Sequence, residues 1–509
     1  MSSSKSKSGS LDVDVKSVNI AECAQGSTKT PSPAFTPEQQ KKLWRKIDAR
    51  IMPVLTIMYL FSFMDRGNIG NAKLEGLTSQ LQLTGNKYNI ALTMYFIVCL
   101  PLLTMSLPFN PQISHTVYSN AQQSKEVLKK FRPSRWLPGI TLLWGTIMAL
   151  MGLVKTYPQL VGTRILLGVT EAGLFPGVVY YMTLWYPRHM LQLRVGVFYG
   201  GATLAGAFSG LLAYGISFMS GTAGMLGKII EGIATVIVGF ISFFILVDFP
   251  DTATFLTPEE RAYVIWTKKY DNSSVGEEEH FELRHLIAAF TDWQIWLQIL
   301  VYFSIVMPLY GITIFLPTII NDFGYNTAIS ELLTVPPYVF ATILVVVFAA
   351  WSDHIKMRSP FIIVGLAMCL FGFAINISDA PNGVKYFGTF FCVAGAYAAF
   401  PGSVAWLGNN LAGQYKRAVG MALQIGVGNF SAAIASNVYI SQDAPRYIMG
   451  HAIALMFIGI GFIFLPLTVI IYKHINTKRD IAALNMRKRY TDDELRRMGD
   501  RAPDFRYTL

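Results

Sequence analysis

Residues 51–71 read IMPVLTIMYLFSFMDRGNIGN, an apolar run that carries an Asp65–Arg66 pair near its far end. The fourteen residues before this pair are uncharged. In a helix that rises ~1.5 Å per residue, Asp65 lies roughly 20 Å from Ile51, within a hydrocarbon core about 30 Å thick. Ionisable side chains at this depth are costly and usually face a partner or a water-filled cavity. The pair therefore predicts a polar site inside a membrane helix.

The composition of the whole chain is typical of a membrane protein. Of its 509 residues, 52% are hydrophobic and 14% are charged, whereas about 25% are charged in soluble domains. The net charge of +11 is spread over short segments between apolar runs, which indicates membrane topology and not a surface that binds nucleic acid. The four cysteines show no paired spacing and the seven histidines are scattered. We therefore expect no disulfide framework, no metal site and no cofactor.

Twelve apolar runs are each long enough for a membrane helix. A polar stretch separates the first six runs from the last six, and residues 194–213 resemble residues 417–436 at the corresponding place in the second half. This pattern predicts an all-α membrane protein of twelve transmembrane helices in two pseudo-symmetric six-helix lobes, a common transporter plan. The runs lie near 51–71, 89–107, 137–154, 161–186, 195–219, 229–248, 294–319, 332–351, 360–378, 386–408, 418–440 and 451–473.

The same pattern divides the chain into five segments. Basic residues concentrate in the loops on the side of the two chain ends, which predicts that both ends are cytosolic. Residues 1–48 are rich in Ser, Lys, Thr and Pro and contain no apolar run, so we expect them to be disordered. The predicted segments are a cytosolic tail at 1–48, a first lobe at 49–249, a cytosolic central loop at 250–293, a second lobe at 294–473 and a cytosolic tail at 474–509.

The Asp65–Arg66 pair is the first candidate site. The guanidinium of Arg66 presents a planar fork of donors that suits an anion, and we expect it to face a cavity. Asp65 would then neutralise Arg66 when the cavity is empty, or exchange a proton. The alternative is an ion pair near the outer headgroups that has no role in binding.

Glu171 is the second candidate. It lies seven residues after Arg164, roughly 10 Å into the fourth run. A carboxylate removed from water at this depth can serve as a proton carrier. The alternative is a structural hydrogen bond to a neighbouring helix. We interpret Arg164 as an anchor at the cytosolic end of the run.

Further polar residues of the second half could bind a substrate, although Asn409 and Asn410 could equally cap a helix or join two helices. No nucleophile–base pair occurs, nor a glycine loop followed by Lys-Ser/Thr that would bind phosphates. The sequence therefore indicates neither an enzyme nor an ATP-driven pump. The candidate substrate-binding residues are Asn409, Asn410, Gln424 and Tyr310, with Tyr302 and Asn429 as further candidates.

Several stretches of this chain resemble the fungal allantoate and nicotinate permease group, the anion:cation symporter branch of the major facilitator superfamily. The resemblance runs from residue 40 onward, and ELRRMGDRAPDFRYTL at 494–509 is most similar to nicotinate-permease-like members. The matching stretches are MDRGNIGNAKLEGL (64–77), KKFRPSRWLPGI (129–140), TEAGLFPGVVYYMTLWYPR (170–188), DTATFLTPEERAYV (251–264), WLGNNLAGQYKRAVGMALQIGVGNFSAAIASNVY (406–439) and SQDAPRY (441–447).

The resemblance implies a twelve-helix fold that alternates between inward-open and outward-open states. It also implies proton-coupled uptake of a small organic anion, such as nicotinate or a related carboxylate, across the plasma membrane. In related sugar-acid symporters the positions of Asp65, Arg66 and Glu171 serve proton coupling and anion binding. The expected partners are that anion, protons and the lipid bilayer.

Two stretches depart from the family pattern. At 101–124, PLLTMSLPFNPQISHTVYSNAQQS stands between the second span and the basic loop. At 225–232, MLGKIIEG keeps Glu231 but lacks the aromatic run that normally precedes it. Both resemble splice or gene-model variation. The alternatives to a working symporter are therefore a transport-inactive variant, whose gate between spans two and three is distorted, and a nutrient receptor of the same fold.

Overall fold

The computed structural model contains helices and no strands in the part of the chain that it describes. Eight helices in that part are long and apolar enough to cross a membrane, and each of the twelve predicted runs overlaps one helix or two consecutive helices. Most of the predicted amino-terminal tail and most of the 101–124 insert lie outside the described residues. The residues that the structure describes are 35–106, 132–217, 223–269, 283–484, 490–491, 494–495 and 498–509.

The first lobe begins with α1, Pro37–Ala72. At its start the side chain of Thr36 accepts from the Gln39 N–H at 3.3 Å, and the Gln39 side chain accepts from the Thr36 N–H at 2.9 Å. This exchange satisfies backbone donors that a helix start otherwise leaves free. A π-helical turn, Lys73–Leu77, and a short turn of helix, Thr78–Gln80, follow α1. The other helices are α2 (Lys87–Ser106), α3 (Pro133–Met151), α4 (Tyr157–Glu171), α5 (Leu174–Trp185), α6 (Arg188–Ser217) and α7 (Ala223–Ile245).

Between the lobes lie two short helices, α8 (Pro258–Lys269) and α9 (Leu283–Phe290). Thr257 and Glu260 exchange hydrogen bonds at the start of α8, at 2.9 and 3.2 Å. The two hydrogen bonds form a capping box, which satisfies backbone donors at the start of the helix. Lys46 of α1 pairs with Glu260 at 2.8 Å, so α8 lies beside the start of α1.

The second lobe repeats the six-span plan of the first. The eighth predicted span of the chain lies in this lobe and is interrupted at Thr334. The fourth span of the chain, in the first lobe, is likewise interrupted at Ala172 and Gly173. The last helix continues well beyond the predicted boundary at residue 473. The helices are α10 (Trp293–Asn321), α11 (Thr327–Leu333), α12 (Val335–Ile355), α13 (Ser359–Ile377), α14 (Asn382–Asn410), α15 (Gln414–Val438) and α16 (Ile448–Leu484), with 3₁₀ turns at Pro250–Thr252, Ser441–Asp443 and Gly499–Arg501.

The two lobes meet where α6 packs on α12, α2 on α15 and α1 on α10. We call the end of the bundle that holds Pro37 and residues 498–509 the tail face, and the opposite end, which holds Ala72, the far face. Glycines on α6 allow the close approach. A Cβ at Gly206 would lie 2.6 Å from the Tyr338 ring, and one at Gly210 would lie 2.8 Å from the Glu331 carbonyl oxygen.

We expect Gly210→Ala to weaken closure of the far face. The added methyl group meets a backbone oxygen, which cannot rotate away as a side chain can. Overpacking of this kind costs about 1–3 kcal/mol, so transport should slow by roughly tenfold. Gly215→Ala is the matched control, since nothing lies within 4 Å of the added Cβ on the same helix. Equal initial uptake rates for the two variants, at equal surface expression, would contradict this contact.

Candidate functional site

Arg66 projects from α1 into the space between the two lobes. Its Nε donates to Glu171 Oε1 at 2.7 Å, and its Nη1 donates to the Tyr310 hydroxyl of the second lobe at 2.9 Å. The Nη2 atom donates to Ser62 Oγ at 3.3 Å, one turn earlier on α1. The side chain is 14% exposed. Arg66 therefore joins the lobes from within, and the alternative of an ion pair at the headgroups is wrong.

Glu171 is the last residue of α4, and its side chain is fully buried. Besides Arg66, its Oε1 accepts from the Ser62 hydroxyl, and its Oε2 accepts from the Tyr95 hydroxyl at 2.5 Å. The approach of α2 depends on Gly168, where a Cβ would lie 2.5 Å from the Tyr95 carbonyl oxygen. Three donors thus converge on one buried carboxylate.

Asp65 does not neutralise Arg66, which corrects the expectation from the sequence. Its Oδ2 accepts from Trp144 Nε1 at 2.8 Å and from Thr235 Oγ1 at 3.4 Å, and the residue is completely buried. Consecutive residues of an α-helix point about 100° apart. Arg66 therefore faces the cavity while Asp65 faces α3 and α7, and Glu171 is the counter-charge of Arg66.

Eight aromatic side chains line the cavity around this ion pair. Phe63 lies on the Arg66 guanidinium, with Cζ 5.6 Å from the ring centroid, and Tyr95 lies on it at 5.9 Å. Such contacts stabilise a cation by the negative face of the ring. The cavity combines the Arg66–Glu171 ion pair and a second buried cation, Arg164, with the faces of aromatic rings. Its other lining residues include Tyr59, Phe96, Phe175, Tyr302, Tyr310, Phe400, Ile425 and Asn429.

Arg164 is a wall residue of the same cavity, and its interpretation as an anchor at the cytosolic end is wrong. It is 2% exposed and lines the cavity together with Arg66 and Tyr310. Its Nε and Nη2 atoms have no hydrogen-bond partner within the described part of the chain. The sequence could have indicated that Arg164 faces the same side as Glu171, because residues seven apart lie on one face of a helix.

The structure brings only some of the predicted substrate-binding residues to the cavity. Tyr310 lines it and contacts Arg66 directly. Asn409 and Gln424 are buried elsewhere in the second lobe, at 3% and 0% exposure, and neither lines this cavity. Asn410 is hydrogen-bonded to Thr508. The weaker candidates Tyr302 and Asn429 do line the cavity.

The first lobe contains a second buried polar contact, which the sequence did not predict. Glu231, the residue retained in the atypical MLGKIIEG stretch, is 2% exposed and accepts from the Asn68 amide. Glu231 also accepts, through its carbonyl oxygen, from the Thr235 hydroxyl that contacts Asp65. The contacts tie α1 to α7 along one face and so fix the rotation of α1 that turns Arg66 to the cavity.

In the described part of the chain, contacts between the two lobes lie on both sides of the cavity. On the tail face, Asp353 of α12 accepts from the Leu193 N–H of α6 at 2.7 Å. On the far face, the Thr93 and Ser436 hydroxyls lie 2.9 Å apart, and a Cβ at Gly70 would lie 2.5 Å from the Ile314 carbonyl oxygen. Each contact joins one lobe to the other. The two lobes therefore touch on the tail face and on the far face.

Comparisons with known proteins agree with this architecture. A family model for the Major Facilitator Superfamily matches residues 55–466. The MFS-type transporter cnsO of Penicillium expansum is 32% identical over 494 residues, which cover 93% of this chain and 92% of the relative. A high-affinity nicotinic acid transporter of Saccharomyces cerevisiae is 30% identical over 485 residues, covering 94% of this chain and 86% of the relative.

A solved structure shows the same fold at lower sequence similarity. The proton:xylose symporter XylE, bound to 6-bromo-6-deoxy-D-glucose, superposes with a TM-score of 0.58 at 15% identity, covering 82% of this chain and 95% of that chain. The prediction of twelve helices in two six-helix lobes is thereby confirmed. The similarity to XylE concerns the fold alone.

Proposed function

This chain belongs to the Major Facilitator Superfamily and is an integral membrane transporter, and from that premise we propose that it takes up a small aromatic carboxylate together with a proton. One observation carries the proposal. The ion pair between Arg66 and Glu171 is buried, with Nε and Oε1 2.7 Å apart, in an aromatic cavity between the two lobes.

The ion pair supplies a means of coupling. While Glu171 is ionised, it occupies the Nε side of Arg66 and neutralises the guanidinium. A substrate carboxylate would add a second negative charge, and two carboxylates around one buried guanidinium repel each other. A proton on Glu171 removes that repulsion and releases donors of Arg66 to the substrate. Anion and proton therefore favour each other's binding.

The walls of the cavity support an aromatic substrate. Tyr95, Phe96 and Tyr310 contribute to its lining throughout, with ring centroids of Phe96 and Tyr310 5.0 Å apart at an angle of 71°. A planar ring can stack on one such face and meet the edge of another, which adds to affinity beyond the buried area. The name of the yeast relative, a nicotinic acid transporter, supports a pyridine carboxylate in particular.

The contacts between the lobes on both faces support alternating access. Opening of the far face would separate Thr93 from Ser436, and opening of the tail face would separate Leu193 from Asp353. We propose that the tail face is cytosolic and that the protein lies in the plasma membrane. The exposed basic residues of α1 near this face, such as Arg45, support that orientation. Uptake then proceeds from the far face to the tail face.

A competition experiment tests the proposed substrate class. Radiolabelled nicotinate is supplied to a fungal host that lacks its own nicotinate uptake and expresses this chain. Unlabelled nicotinate should compete, whereas nicotinamide, which keeps the ring but lacks the charge, should need at least about tenfold more because it offers Arg66 no anion. Allantoate, a carboxylate without an aromatic ring, should also compete poorly.

Each outcome of that competition has a definite meaning. Equal competition by nicotinamide would contradict recognition by Arg66. Equal competition by allantoate would contradict selection by the aromatic walls. Absence of uptake for every carboxylate, at confirmed surface expression, would instead support the transport-inactive alternative.

A further inference from the structure

Residues 499–509 pack against the tail face of the second lobe. Ala502, Phe505 and Tyr507 are 3%, 4% and 5% exposed, and Asp500 is 2% exposed. Their contacts reach α10, α14, α15 and α16 and the turn between α12 and α13. The segment therefore joins the tail-face ends of several helices of that lobe, through buried apolar and aromatic side chains as well as through hydrogen bonds.

Asp500 anchors the start of the segment. Its Oδ1 lies 2.6 Å from Lys416 Nζ, which also contacts Asp292 Oδ2 at 2.5 Å. Its Oδ2 accepts from Gln294 Nε2 at 2.8 Å. The side chains of Lys416 and Asp292 are 8% and 2% exposed. Charge-assisted hydrogen bonds in such a sheltered place are stronger than those in water, so Asp500 joins α10 to α15.

The backbone near Tyr507 is recognised by two side-chain amides, the half-buried Asn476 and the buried Asn410. Asn476 accepts from the Tyr507 N–H at 2.9 Å and donates to the Tyr507 carbonyl at 2.8 Å. Asn410 accepts from the Thr508 N–H at 2.7 Å and donates to the Thr508 carbonyl at 3.0 Å. The Tyr507 ring stacks on Tyr472 with centroids 4.7 Å apart. The tail face thus has a built peptide-binding groove.

The end of the segment reaches the contact that closes the tail face. The Leu509 carbonyl accepts from the Arg358 N–H at 2.6 Å. The Arg358 side chain pairs with Asp353 Oδ1 at 2.6 Å, and Asp353 Oδ2 accepts from the Leu193 N–H of the first lobe at 2.7 Å. One continuous chain of contacts therefore leads from the segment to the lobe interface.

We propose that residues 499–509 are an intramolecular latch that stabilises the closed tail face. With the segment in its groove, the ends of α10, α14, α15 and α16 move as one unit and Arg358 is held where it orients Asp353 toward α6. With the segment released, those helix ends and the Arg358 turn are free to relax, and the tail face opens more readily. The inference concerns the gate and is independent of the substrate.

Distances between spin labels at Ala49 and His354 test the latch in the full chain. Both residues are exposed near the tail face, one in each lobe. Each is replaced by cysteine to carry the label, and native cysteines that the label can reach are replaced by serine. Asp500→Ala and Tyr507→Ala should each increase the population with a longer distance by about tenfold, since a hydrogen bond to a charged group or a buried ring contact shifts an equilibrium by that much. Asp504→Ala is the matched control, because Asp504 is exposed in the same segment and its loss should change nothing.

A synthetic peptide of residues 494–509 provides the second arm of the experiment. Added to the Asp500→Ala variant, it should restore the short distance, whereas a peptide with both Asp500 and Tyr507 replaced by alanine should not. Unchanged distances in the Asp500→Ala and Tyr507→Ala variants would overturn the proposal, as would an equal response to Asp504→Ala. The readout needs no transport, so a failed latch and a failed transport assignment are distinguishable.

Discussion

Arg66→Ala should abolish uptake of the carboxylate substrate. The guanidinium is the positive charge in the cavity wall that contacts both Glu171 and Tyr310. Removal of one partner of a buried, hydrogen-bonded charge pair costs about 2–5 kcal/mol, so uptake should fall by roughly 30-fold or more. Initial uptake rates at equal surface expression measure the effect. Arg45→Ala, at an exposed position of the same helix, is the control and should retain uptake.

The charge alone should not rescue this site. Arg66→Lys keeps the positive charge but carries all its donors on one nitrogen, so it lacks the separate Nε, Nη1 and Nη2 atoms through which the guanidinium reaches Glu171, Tyr310 and Ser62. A lysine ammonium is also more strongly hydrated and lacks the planar fork that matches a carboxylate. The lysine variant should therefore resemble the alanine variant far more than the unmodified protein. Near-normal uptake by Arg66→Lys would show that only the field of the charge matters.

Glu171→Gln should abolish the dependence of uptake on external pH. In the unmodified protein, uptake should rise as external pH falls, because protonation of Glu171 releases Arg66 for the anion. Glutamine is neutral at every pH and of similar shape, so it mimics the protonated residue. The variant should still exchange labelled for unlabelled substrate but should lose proton-driven accumulation. The ratio of uptake at pH 5 to uptake at pH 7 measures the effect.

Asp65→Asn distinguishes the role of Asp65 from that of Glu171. Asp65 is bonded to Trp144 and Thr235 and lies away from the cavity, so we propose that it positions α1. Its replacement should lower the amount of correctly folded protein while the surviving protein keeps its pH dependence. Loss of pH dependence in Asp65→Asn, with retention in Glu171→Gln, would transfer the proton-coupling role to Asp65.

Hydropathy and isolated charges were sufficient to predict much of this molecule. Long apolar runs can satisfy their backbone groups only as helices in a membrane, so the spans were readable with no tertiary information. Arg66 and Glu171 stood out because charges in such runs are expensive. The sequence does not predict that Arg66 and Glu171 form an ion pair. The pairing depends on the rotation of α1 against α4, which the contacts of Asp65 with Trp144 and of Gly168 with Tyr95 determine.

The sequence could not predict the role of residues whose partners are far away in the chain. Asn410 has the same amide chemistry whether it faces a substrate or the backbone of Thr508, and about 100 residues of chain separate the two. The burial of Asp500 and Tyr507 likewise arises from packing against helices far away in the chain. Arg164 was misplaced because its position near the start of a run suggested a membrane surface.

Proton entry driven by substrate tests the central claim most directly. The purified protein is reconstituted in vesicles that enclose a pH-sensitive dye, with equal pH on both sides. Addition of nicotinate outside should acidify the interior of vesicles that hold the unmodified protein, and should not do so with Glu171→Gln or Arg66→Ala. Substrate entry without acidification by the unmodified protein, or acidification that persists in Glu171→Gln, would contradict coupling through the Arg66–Glu171 pair.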